Sequence, residues 1–363
     1  MIAWNGERLR VSIFGQSHGP AVGVVVEGLP AGFAVDRAAL QAFLDRRAPG
    51  RGDHTSARKE TDIPRFLSGL AEDTTCGAPL CVVLENGDAH SGDYDQFRDI
   101  PRPSHADYPA LMKFGPAYDV RGGGQFSGRL TAPLCVAGGI ALQILAQKGV
   151  RVGAHLAAVG GEMDAPFDPV NLVSADLDRV LSHPLPVLDG AAGDRMLARI
   201  RQAKEARDSL GGLVECAALG LPVGLGDALF GGLESRLSAA LFAIPAVKGV
   251  EFGAGFAAAG MAGSAHNDPY ILRDGRVVTR TNHAGGILGG MTTGMPVVFR
   301  AAFKPTPSIG LPQRSVRLSR MEETELVIRG RHDPCVAVRA VPAVEAAAAL
   351  VLLDLMLQGE REP

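Results

Sequence analysis

A five-residue motif, Gly-Leu-Pro-x-Gly, occurs twice along the chain, at residues 28–32 and 220–224. Each copy follows a strand-like run, and each precedes a helix-like run, at 37–47 and 233–244. Glycine and proline at the end of a strand-like run are typical of a turn between two elements. The repeated order predicts a duplicated strand–turn–helix plan, although Gly-Leu-Pro is also common turn chemistry. We therefore expect one large α+β unit, residues 1–363, with pseudo-duplicated halves.

Hydrophobic periodicity predicts the remaining elements. Asp36 is expected to N-cap the helix at 37–47, because a capping carboxylate accepts from first-turn N–H groups. Pro342 is expected near the first turn of a closing helix at about 342–357, where a missing N–H costs little. Further helices are expected at about 128–148 and 196–208, a hairpin around 65–85, and strands near 247–252, 276–280, 296–302 and 325–329.

Composition restricts the class of function. The five cysteines include no C-x-x-C pair, so neither a disulfide framework nor a metal site is expected. A net charge of −3 and an aromatic content of 5% disfavour nucleic-acid binding, which needs a positive field and stacking surfaces. No leader peptide is recognisable, and charge or glycine interrupts the apolar runs, so we expect no membrane span and a reducing, cytoplasmic setting.

A local excess of arginine stands out in this slightly acidic chain, within residues 45–60. Arg46 and Arg47 close a predicted helix, and Arg51 follows in a glycine-containing segment. Guanidinium groups match the paired oxygens of carboxylates and phosphates. The cluster predicts an anionic small-molecule ligand, although most charged runs are solvated loops. Arg47 borders a polar loop, so its loss is not expected to leave a cavity.

Glycine-rich and turn-forming segments are the other candidates for anion binding. The segment R-G-G-G-Q-F-S-G-R (121–129) precedes a predicted helix, so its backbone N–H groups could approach a phosphate. A purely structural turn explains this segment equally well. Lys304, with the hydroxyl groups of Thr306 and Ser308, is a candidate clamp for phosphate or carbonyl oxygens. His332 and Cys335 resemble part of a metal site, but the sequence offers no matching pair.

Two histidines lie on predicted turns. The segment F-G-Q-S-H-G (14–19) contains the G-x-S-x-G pattern of serine hydrolases, in which Ser17 would be the nucleophile. In that class the turn joins a strand to a helix, whereas here the following run reads as a strand. A strand–strand turn that presents Ser17 and His18 is therefore favoured. His105, in R-P-S-H-A-D-Y (102–108), is either a solvent-facing loop residue or a proton donor beside an anion site.

Seven motifs together resemble those of the chorismate synthases and stand in the same order. They are F-G-Q-S-H-G (14–19), D-R-R-A-P-G (45–50), R-P-S-H-A-D-Y (102–108), R-G-G-G (121–124), T-N-H-A-G-G-I-L-G-G (281–290), K-P-T-P-S-I (304–309) and G-R-H-D-P-C-V-x-x-R-A-V-P (330–342). The resemblance runs from about residue 8 to residue 357. It implies an α+β fold in which a helical layer is sandwiched between two antiparallel sheets, internally duplicated, and a homotetramer.

The resemblance also implies the reaction, a 1,4-anti elimination of phosphate from 5-enolpyruvylshikimate 3-phosphate that gives chorismate at the end of the shikimate pathway. The family requires reduced FMN (FMNH2) although the reaction has no net redox change, and NADPH is the reductant in some members. A non-catalytic or flavin-altered homologue that binds an anionic small molecule is the alternative, and a serine hydrolase on Ser17 is less favoured.

The resemblance assigns roles to individual residues. His18 is implied to protonate the leaving phosphate, His105 to contact flavin N1 and the C2 carbonyl and to protonate the reduced ring, and Asp333 to assist proton transfer at N5. The implied FMN contacts are Gln125, Phe126, Ser127, Ala246, Gly289, Lys304, Pro305, Thr306, Pro307, Ser308 and Arg331. The implied substrate or NADPH contacts are Ser17, Arg46, Arg47, Arg51 and Arg129.

The chain departs from the family pattern at three places. Many members have R-S-S where this chain has Gln125-Phe126-Ser127, and many have asparagine where it has Pro245. A family arginine is replaced by Asp53, for which Arg51 is a candidate substitute. The departures concern flavin and loop contacts, so the two histidines and Asp333 are unaffected.

Overall fold

A computed structural model describes residues 3–50, 60–87, 92–328, 330 and 332–359. The predicted site residues Arg51 and Arg331, and the departure at Asp53, lie outside this part of the chain. The described strands are β1 (Ala3–Asn5), β2 (Arg10–Gly15), β3 (Ala21–Glu27), β4 (Arg65–Ser68), β5 (Leu70–Ala71), β6 (Thr74–Thr75), β7 (Leu80–Glu85), β8 (Arg151–Val159), β9 (Glu162–Met163), β10 (Gly212–Leu219), β11 (Val247–Phe252), β12 (Tyr270–Arg273), β13 (Arg276–Thr279), β14 (Ile287–Leu288), β15 (Met291–Thr292), β16 (Val297–Phe303), β17 (Gln313–Arg317) and β18 (Glu322–Leu326).

The described helices are α1 (Arg37–Arg47), α2 (Asp107–Phe114), α3 (Thr131–Gln147), α4 (Ser174–Arg179), α5 (Gly190–Glu205), α6 (Leu233–Phe242), α7 (Gly263–His266) and α8 (Ala337–Gly359). Short 3₁₀ helices lie at Gly92–Arg98, Gly115–Ala117, Arg121–Phe126, Gly128–Leu130, Val180–Ser182, Leu229–Gly231 and Gly255–Gly260.

Two five-stranded sheets form the outer layers. The first has the order β1-β2-β3-β7-β4 and the second the order β11-β16-β10-β8-β9. Every neighbouring pair in them is antiparallel. Helices α1, α3, α6 and α8 lie between the sheets, where α3 packs on β3 and β7 while α8 packs on β8 and β10. The predicted helical layer between two antiparallel sheets is confirmed.

The inner helices α3 and α8 approach each other closely. A Cβ atom on Gly138 of α3 would lie 2.3 Å from the Cα of Ala346 in α8, so only glycine allows this spacing. The stretches Gly128–Gln147 and Ala337–Gly359 are long and apolar enough, on length and composition alone, to cross a membrane. Buried residues make up 67% and 94% of their most apolar windows, because the two sheets cover them. The glycine and charge interruptions noted in the sequence do not shorten either helix.

The two Gly-Leu-Pro-x-Gly motifs form equivalent turns. Gly28 and Gly220 have φ angles of +86° and +79°, and an added Cβ would meet a backbone carbonyl at 1.9 Å and 2.2 Å. Each turn also closes on a threonine of another strand. The N–H groups of Gly32 and Gly224 donate to the carbonyls of Thr75 and Thr292, at 2.7 Å and 2.8 Å.

The two threonines complete the match between the halves. Thr75 Oγ1 donates to the Pro30 carbonyl and accepts from the Phe33 N–H. Thr292 makes the same pair of bonds with Pro222 and Leu225. One hydrogen-bond pattern therefore recurs at both motifs, and the two turns are structurally equivalent.

One helix boundary differs from the prediction. Helix α8 begins at Ala337, so Pro342 lies inside the helix and not in its first turn. The expectation was wrong because Ala340 N already bonds Val336 O, which starts the helix earlier. Pro342 has no N–H for the Val338 carbonyl. By contrast, the Asp36 cap is confirmed, since its carboxylate accepts from Ala39 N at 2.9 Å.

A buried ionic cluster lies in the second sheet. His155 on β8 is 0% exposed, and its Nδ1 and Nε2 lie 2.8 Å from Asp164 and 3.0 Å from Glu215. Burial lowers the pKa of His155, but the hydrogen bonds from the two carboxylates outweigh it and hold the pKa above its usual value. The carboxylates also accept from the backbone N–H groups of Phe167, Leu188 and Asp189. The cluster therefore fixes the loops beside β8.

Candidate active site

A cavity of about 350 Å³ lies where the turns before and after the inner helices meet. Its volume is within the range of small-molecule sites. Its lining residues are Arg47, Pro49, Glu60, Tyr94, Arg102, Ser104, His105, Ala106, Gly122, Phe126, Ser127, Gly128, Arg129, Thr131, Ile244, Pro245, Ala246, Lys304, Thr306, Pro307, Ser308, His332, Asp333, Val336, Arg339 and Ala340.

The glycine-rich segment forms one wall of the cavity. Gly122, Gly123 and Gly124 have φ angles of +59°, +89° and +53°, which L-residues with side chains rarely adopt. A Cβ on Gly122 would lie 2.3 Å from the His18 ring, and one on Gly123 would lie 3.2 Å from His105 Nε2. Two predicted proton-transfer residues therefore lie against adjacent glycines of one loop.

His18 and Ser17 occupy the turn between β2 and β3, as predicted. His18 is 8% exposed, and its ring meets the Tyr94 ring edge-on at a centroid distance of 4.9 Å. The Ser17 N–H donates to the Gly124 carbonyl at 3.2 Å, which joins this turn to the glycine loop. Neither side chain lines the cavity directly, but Gly122 and Tyr94, which contact His18, do.

The serine-hydrolase alternative lacks its base. Ser17 Oγ is buried and has no hydrogen-bond partner among the described residues. A hydrolase nucleophile needs a base within hydrogen-bonding reach. The strand–turn–strand setting of Ser17 also differs from a nucleophile elbow. The geometry therefore disfavours this reading.

His105 lies on the turn before α2, where its neighbours are charged. Its Nδ1 lies 2.7 Å from Asp107 Oδ1, and its side chain is 15% exposed. Burial lowers the pKa of His105 below its usual value, the Asp107 contact opposes this, and the charges of Arg102 and Lys304 reinforce it. We therefore expect His105 to be neutral at pH 7 while the cavity holds no ligand.

Arg47 and Arg129 both reach the cavity, and both pair with the buried carboxylate of Asp62. Burial alone would raise the pKa of Asp62, but the two guanidinium charges hold it below its usual range. Arg129 also pairs with Glu60 at 3.0 Å. Arg47 is only 2% exposed, so the expectation that its loss would leave no cavity is wrong. The Arg47 side chain lies in the protein interior, where it pairs with Asp62, and is not at the surface.

Arg46, the residue before Arg47, points elsewhere. Its guanidinium makes two bonds to Glu345 of α8, at 2.7 Å and 2.8 Å, and it does not line the cavity. Glu345 also accepts from Ala154 N in the second sheet. The structure therefore gives Arg46 a structural ion pair and does not bring it to the predicted ligand site, because adjacent helical residues face different directions.

The Lys304–Ser308 turn after β16 supplies another wall. Lys304 Nζ donates to the backbone carbonyl of Ser104, and Lys304 N donates to the Ala246 carbonyl at 3.0 Å. Thr306 Oγ1 is buried beside the cavity and has no protein partner among the described residues. Buried hydroxyl groups are normally hydrogen-bonded, so this one fits a ligand with polar edges. Ala246 has a φ angle of +76°, in the region that favours glycine.

Asp333 lines the cavity at the start of the last helix. Its carboxylate pairs with Arg339 at 2.6 Å, and Arg339 Nε donates to the Arg47 carbonyl at 2.9 Å. Asp333 is therefore linked to the Arg47–Asp62–Arg129 group through one guanidinium. The described lining and the carboxylates behind it comprise five basic side chains (Arg47, Arg102, Arg129, Lys304, Arg339) and four acidic ones (Glu60, Asp62, Asp107, Asp333).

Most of the predicted site residues converge, and some do not. The cavity is lined by His105, Asp333, Phe126, Ser127, Ala246, Lys304, Thr306, Pro307, Ser308, Arg47 and Arg129. The described residues that do not line it are His18, Ser17, Gln125, Gly289, Pro305 and Arg46. Gly289 lies in the turn between β14 and β15. The part of the chain that the structure describes holds no group of three or more potential metal ligands.

The sequence did not predict several residues of the site. Five of them line the cavity, namely Glu60, Tyr94, Arg102, His332 and Arg339, and the carboxylates of Asp62 and Asp107 lie behind this lining. The spacing of Arg102, His105 and Asp107 in one short motif could have indicated a turn with a shared carboxylate. Arg339 stands inside a quoted motif. No local pattern marks Asp62, whose arginine partners are distant in sequence.

Comparisons with known proteins agree with this geometry. A family model described as chorismate synthase matches residues 9–357. The chain is 47% identical over 368 residues to a chorismate synthase of Lancefieldella parvula, covering 98% of this chain and 97% of the relative. It is 48% identical over 353 residues to one from Thermococcus kodakarensis, covering 97% of each. A crystal structure of chorismate synthase superposes with a TM-score of 0.76 at 25% identity, covering 98% of this chain and 93% of that one. The chain belongs to the chorismate synthase family.

Proposed function

We propose that this chain eliminates phosphate from 5-enolpyruvylshikimate 3-phosphate to form chorismate, and that it does so with reduced FMN. One observation carries the proposal. His18 and His105 lie against adjacent glycines of one loop, beside a cavity with five basic lining residues. A phosphate leaving group and two substrate carboxylates need both a proton donor and cationic walls.

The cavity has features that suit a flavin. Thr306 Oγ1 offers an orphaned polar group, Lys304 supplies a charge, and the Gly122–Gly124 backbone lets a flat ring approach. When bound, reduced FMN would supply electron density that assists cleavage of the carbon–oxygen bond and is returned within the turnover. Residues Phe126, Ser127, Ala246, Lys304, Thr306, Pro307 and Ser308 would hold it, with Arg331 as a further expected contact.

The protein's own residues would move the protons. His18 would donate to the departing phosphate, whose charge would face Arg129 and Arg47. Asp333, held by Arg339, would accept the substrate proton and return it to solvent. His105 would hold a proton beside the ring. General acid–base groups of this kind contribute roughly 10²–10⁴-fold each.

The test is an anaerobic incubation of the protein with substrate and dithionite-reduced FMN. We expect phosphate and chorismate in equal amounts, with flavin needed only in catalytic amount. Full turnover with oxidised FMN, or without flavin, would contradict the proposal. Substrate binding without phosphate release would favour the non-catalytic homologue. Replacing dithionite with NADPH tests whether the chain reduces its own flavin, for which NADPH is the candidate reductant.

We also propose a cytoplasmic homotetramer. Its support is a set of large apolar side chains that are exposed in the single chain, including Phe230 (94%), Leu229 (83%) and Phe256 (82%). Burial of such exposed apolar side chains in contacts between subunits would remove them from water. All five cysteines are free thiols, which suits a reducing compartment. Sedimentation analysis tests the assembly, and a monomer at micromolar concentration would contradict it.

A further inference from the structure

Asp107 is the most heavily engaged carboxylate beside the cavity. Its Oδ2 accepts from Arg102 N at 3.0 Å and Arg102 Nε at 2.7 Å. Its Oδ1 accepts from Arg102 Nη2 at 2.8 Å and lies 2.7 Å from His105 Nδ1. The side chain is 2% exposed, so water does not compete for these oxygens. Oδ2 therefore faces two Arg102 donors, and Oδ1 faces one Arg102 donor and the His105 ring.

The engagement of Asp107 determines which nitrogen of His105 carries a hydrogen. Burial alone would raise the pKa of Asp107, but bonds from Arg102 and His105 hold it well below its usual range. An ionised carboxylate has no hydrogen to give. At 2.7 Å, an unprotonated Nδ1 would set its lone pair against that carboxylate. Nδ1 makes no hydrogen bond of good geometry with Asp107, but at 2.7 Å the negative charge of the carboxylate still favours an N–H over a lone pair at this nitrogen.

The other ring nitrogen faces the cavity. His105 Nε2 lies on the edge of the ring that meets Gly123, and His105 lines the cavity. When Nδ1 carries the hydrogen of a neutral imidazole, Nε2 has a lone pair. It therefore accepts a proton or hydrogen bond before it can donate one.

We propose that Asp107 is a positioning residue, which holds His105 as the Nδ1–H tautomer and turns Nε2 toward the cavity as the proton-accepting atom. The proton enters at Nε2 from the bound ligand or solvent and leaves from Nε2, while Nδ1–H stays on the ring throughout. The charged groups around His105 are Asp107, Arg102 and Lys304, so two cations oppose proton uptake and one carboxylate supports it. The role in turnover rests on the proposed function, whereas the tautomer does not.

Asp107→Asn gives a sharp test, because an amide has one oxygen and one nitrogen. If the nitrogen replaced Oδ2, it would face two Arg102 donors, which cannot become acceptors. If it replaced Oδ1, it would face only one Arg102 donor, together with His105, which can change tautomer and accept. We therefore expect the variant to convert His105 to the Nε2–H form.

The measurement is the ¹⁵N spectrum of ring-labelled histidines in the ligand-free protein near pH 7.5, where His105→Gln identifies the His105 signals. We expect a protonated Nδ1 and an unprotonated Nε2 in the unsubstituted protein, and at least a tenfold increase of the Nε2–H form in Asp107→Asn. Turnover with reduced flavin should fall roughly 10- to 100-fold, less than the roughly 10²–10⁴-fold of a lost proton-transfer group.

Asp119→Asn is the matched control. Asp119 accepts from the N, Nε and Nη2 atoms of Arg121 at 3.2, 2.7 and 2.9 Å, which is the same fork without His105. Its loss should leave the His105 signals unchanged. Asp107→Glu, which keeps an acceptor-only group, should retain the Nδ1–H form.

An Nε2–H tautomer in the unsubstituted protein would overturn the proposal, whether or not any variant folds. An unchanged tautomer in folded Asp107→Asn would also overturn it. If the tautomer converts while turnover is absent from every form of the protein, the proposed function fails and the role of Asp107 in setting the tautomer stands.

Discussion

His105 and His155 each bring Nδ1 to within hydrogen-bonding distance of an aspartate, at 2.7 Å and 2.8 Å. Their pKa values nevertheless shift in opposite directions. Burial lowers both, but His155 has a second carboxylate, Glu215, whereas His105 has Arg102 and Lys304. Two carboxylates around a histidine favour its cationic form. A histidine between one carboxylate and two cations, 15% exposed at a cavity, remains free to gain and lose a proton.

The largest expected effect separates the two histidines by activity. His105→Ala should reduce turnover roughly 10²–10⁴-fold, because it removes a proton-transfer group at the cavity. His155→Ala should leave the turnover of its folded fraction within about threefold of normal, since no catalytic step uses it. Anaerobic stopped-flow measures both, with circular dichroism as the check on folding. A folded His105→Ala protein with normal turnover would show that His105 is not a proton-transfer group.

The next effect separates them by stability. His155→Ala should lower the free energy of unfolding by about 3–5 kcal/mol, because Asp164 and Glu215 would remain buried without their shared cation. His105→Ala should lower it by less, since Asp107 keeps its Arg102 fork. Urea denaturation of both variants measures the difference. Equal losses of unfolding free energy in the two variants would contradict the expected difference between the two sites.

Arg47→Ala tests whether the cavity arginines, like the His155 cluster, stabilise the fold through a buried ion pair. We expect a loss of about 3 kcal/mol in unfolding free energy, at the low end for a broken buried pair, because Asp62 keeps Arg129. Weaker phosphate-ligand binding should accompany this loss. Denaturation and calorimetric titration with substrate measure the two effects separately. Arg46→Ala, which breaks the Glu345 pair away from the cavity, is the control and should change stability without changing substrate affinity.

The smallest effect concerns the pH dependence of stability. The contributions of His155 and His105 have opposite signs and act on opposite sides of about pH 6.5, the unperturbed pKa of histidine. The raised pKa of His155 means that the folded state binds more protons, so its stabilisation is lost as pH rises above 6.5. The lowered pKa of His105 means that the unfolded state binds more protons, so stability is lost as pH falls below 6.5.

The contribution of each histidine is isolated by comparing the stability of the unsubstituted protein with that of a variant lacking that histidine. The stability advantage over His155→Gln should shrink from pH 6.5 upward, and the advantage over His105→Gln should shrink from pH 6.5 downward. Each slope is bounded by about 1.4 kcal/mol per pH unit for one proton. Urea titrations between pH 5 and 8.5 measure it. Slopes of the same sign would refute the assigned pKa directions.

Features encoded by local chemistry were predictable from the sequence. The turns at Gly28 and Gly220 need a left-handed backbone conformation, which the glycines of the motif predict. Asp36 caps α1 through atoms three residues apart. Beyond these, the seven motifs carried the family resemblance, which implied the layered fold and the roles of both histidines.

Features that depend on distant partners were not predictable. Arg47 looked like a surface residue because Asp62 meets it only across a loop whose path the sequence does not state. Arg46 and Arg47 are adjacent in sequence, yet one binds Glu345 in α8 and the other faces the cavity. Pro342 lies inside α8 because the helix starts at Ala337, a start that no local sequence signal indicates.

The position of α8 has a consequence for the synthesis of the chain. This helix lies between both sheets, and its Asp354 accepts the backbone N–H groups of Glu7, Arg8 and Leu9 beside β1. Ribosomes deliver residues in order, at roughly 5–20 per second. Helix α3 can cover the first sheet soon after its strands are made, but the second sheet cannot cover its apolar inner face, on which α8 packs, until residues 337–359 have emerged. The nascent chain must therefore wait with the inner face of the second sheet open, and a chaperone that shields this face has its longest task in this interval.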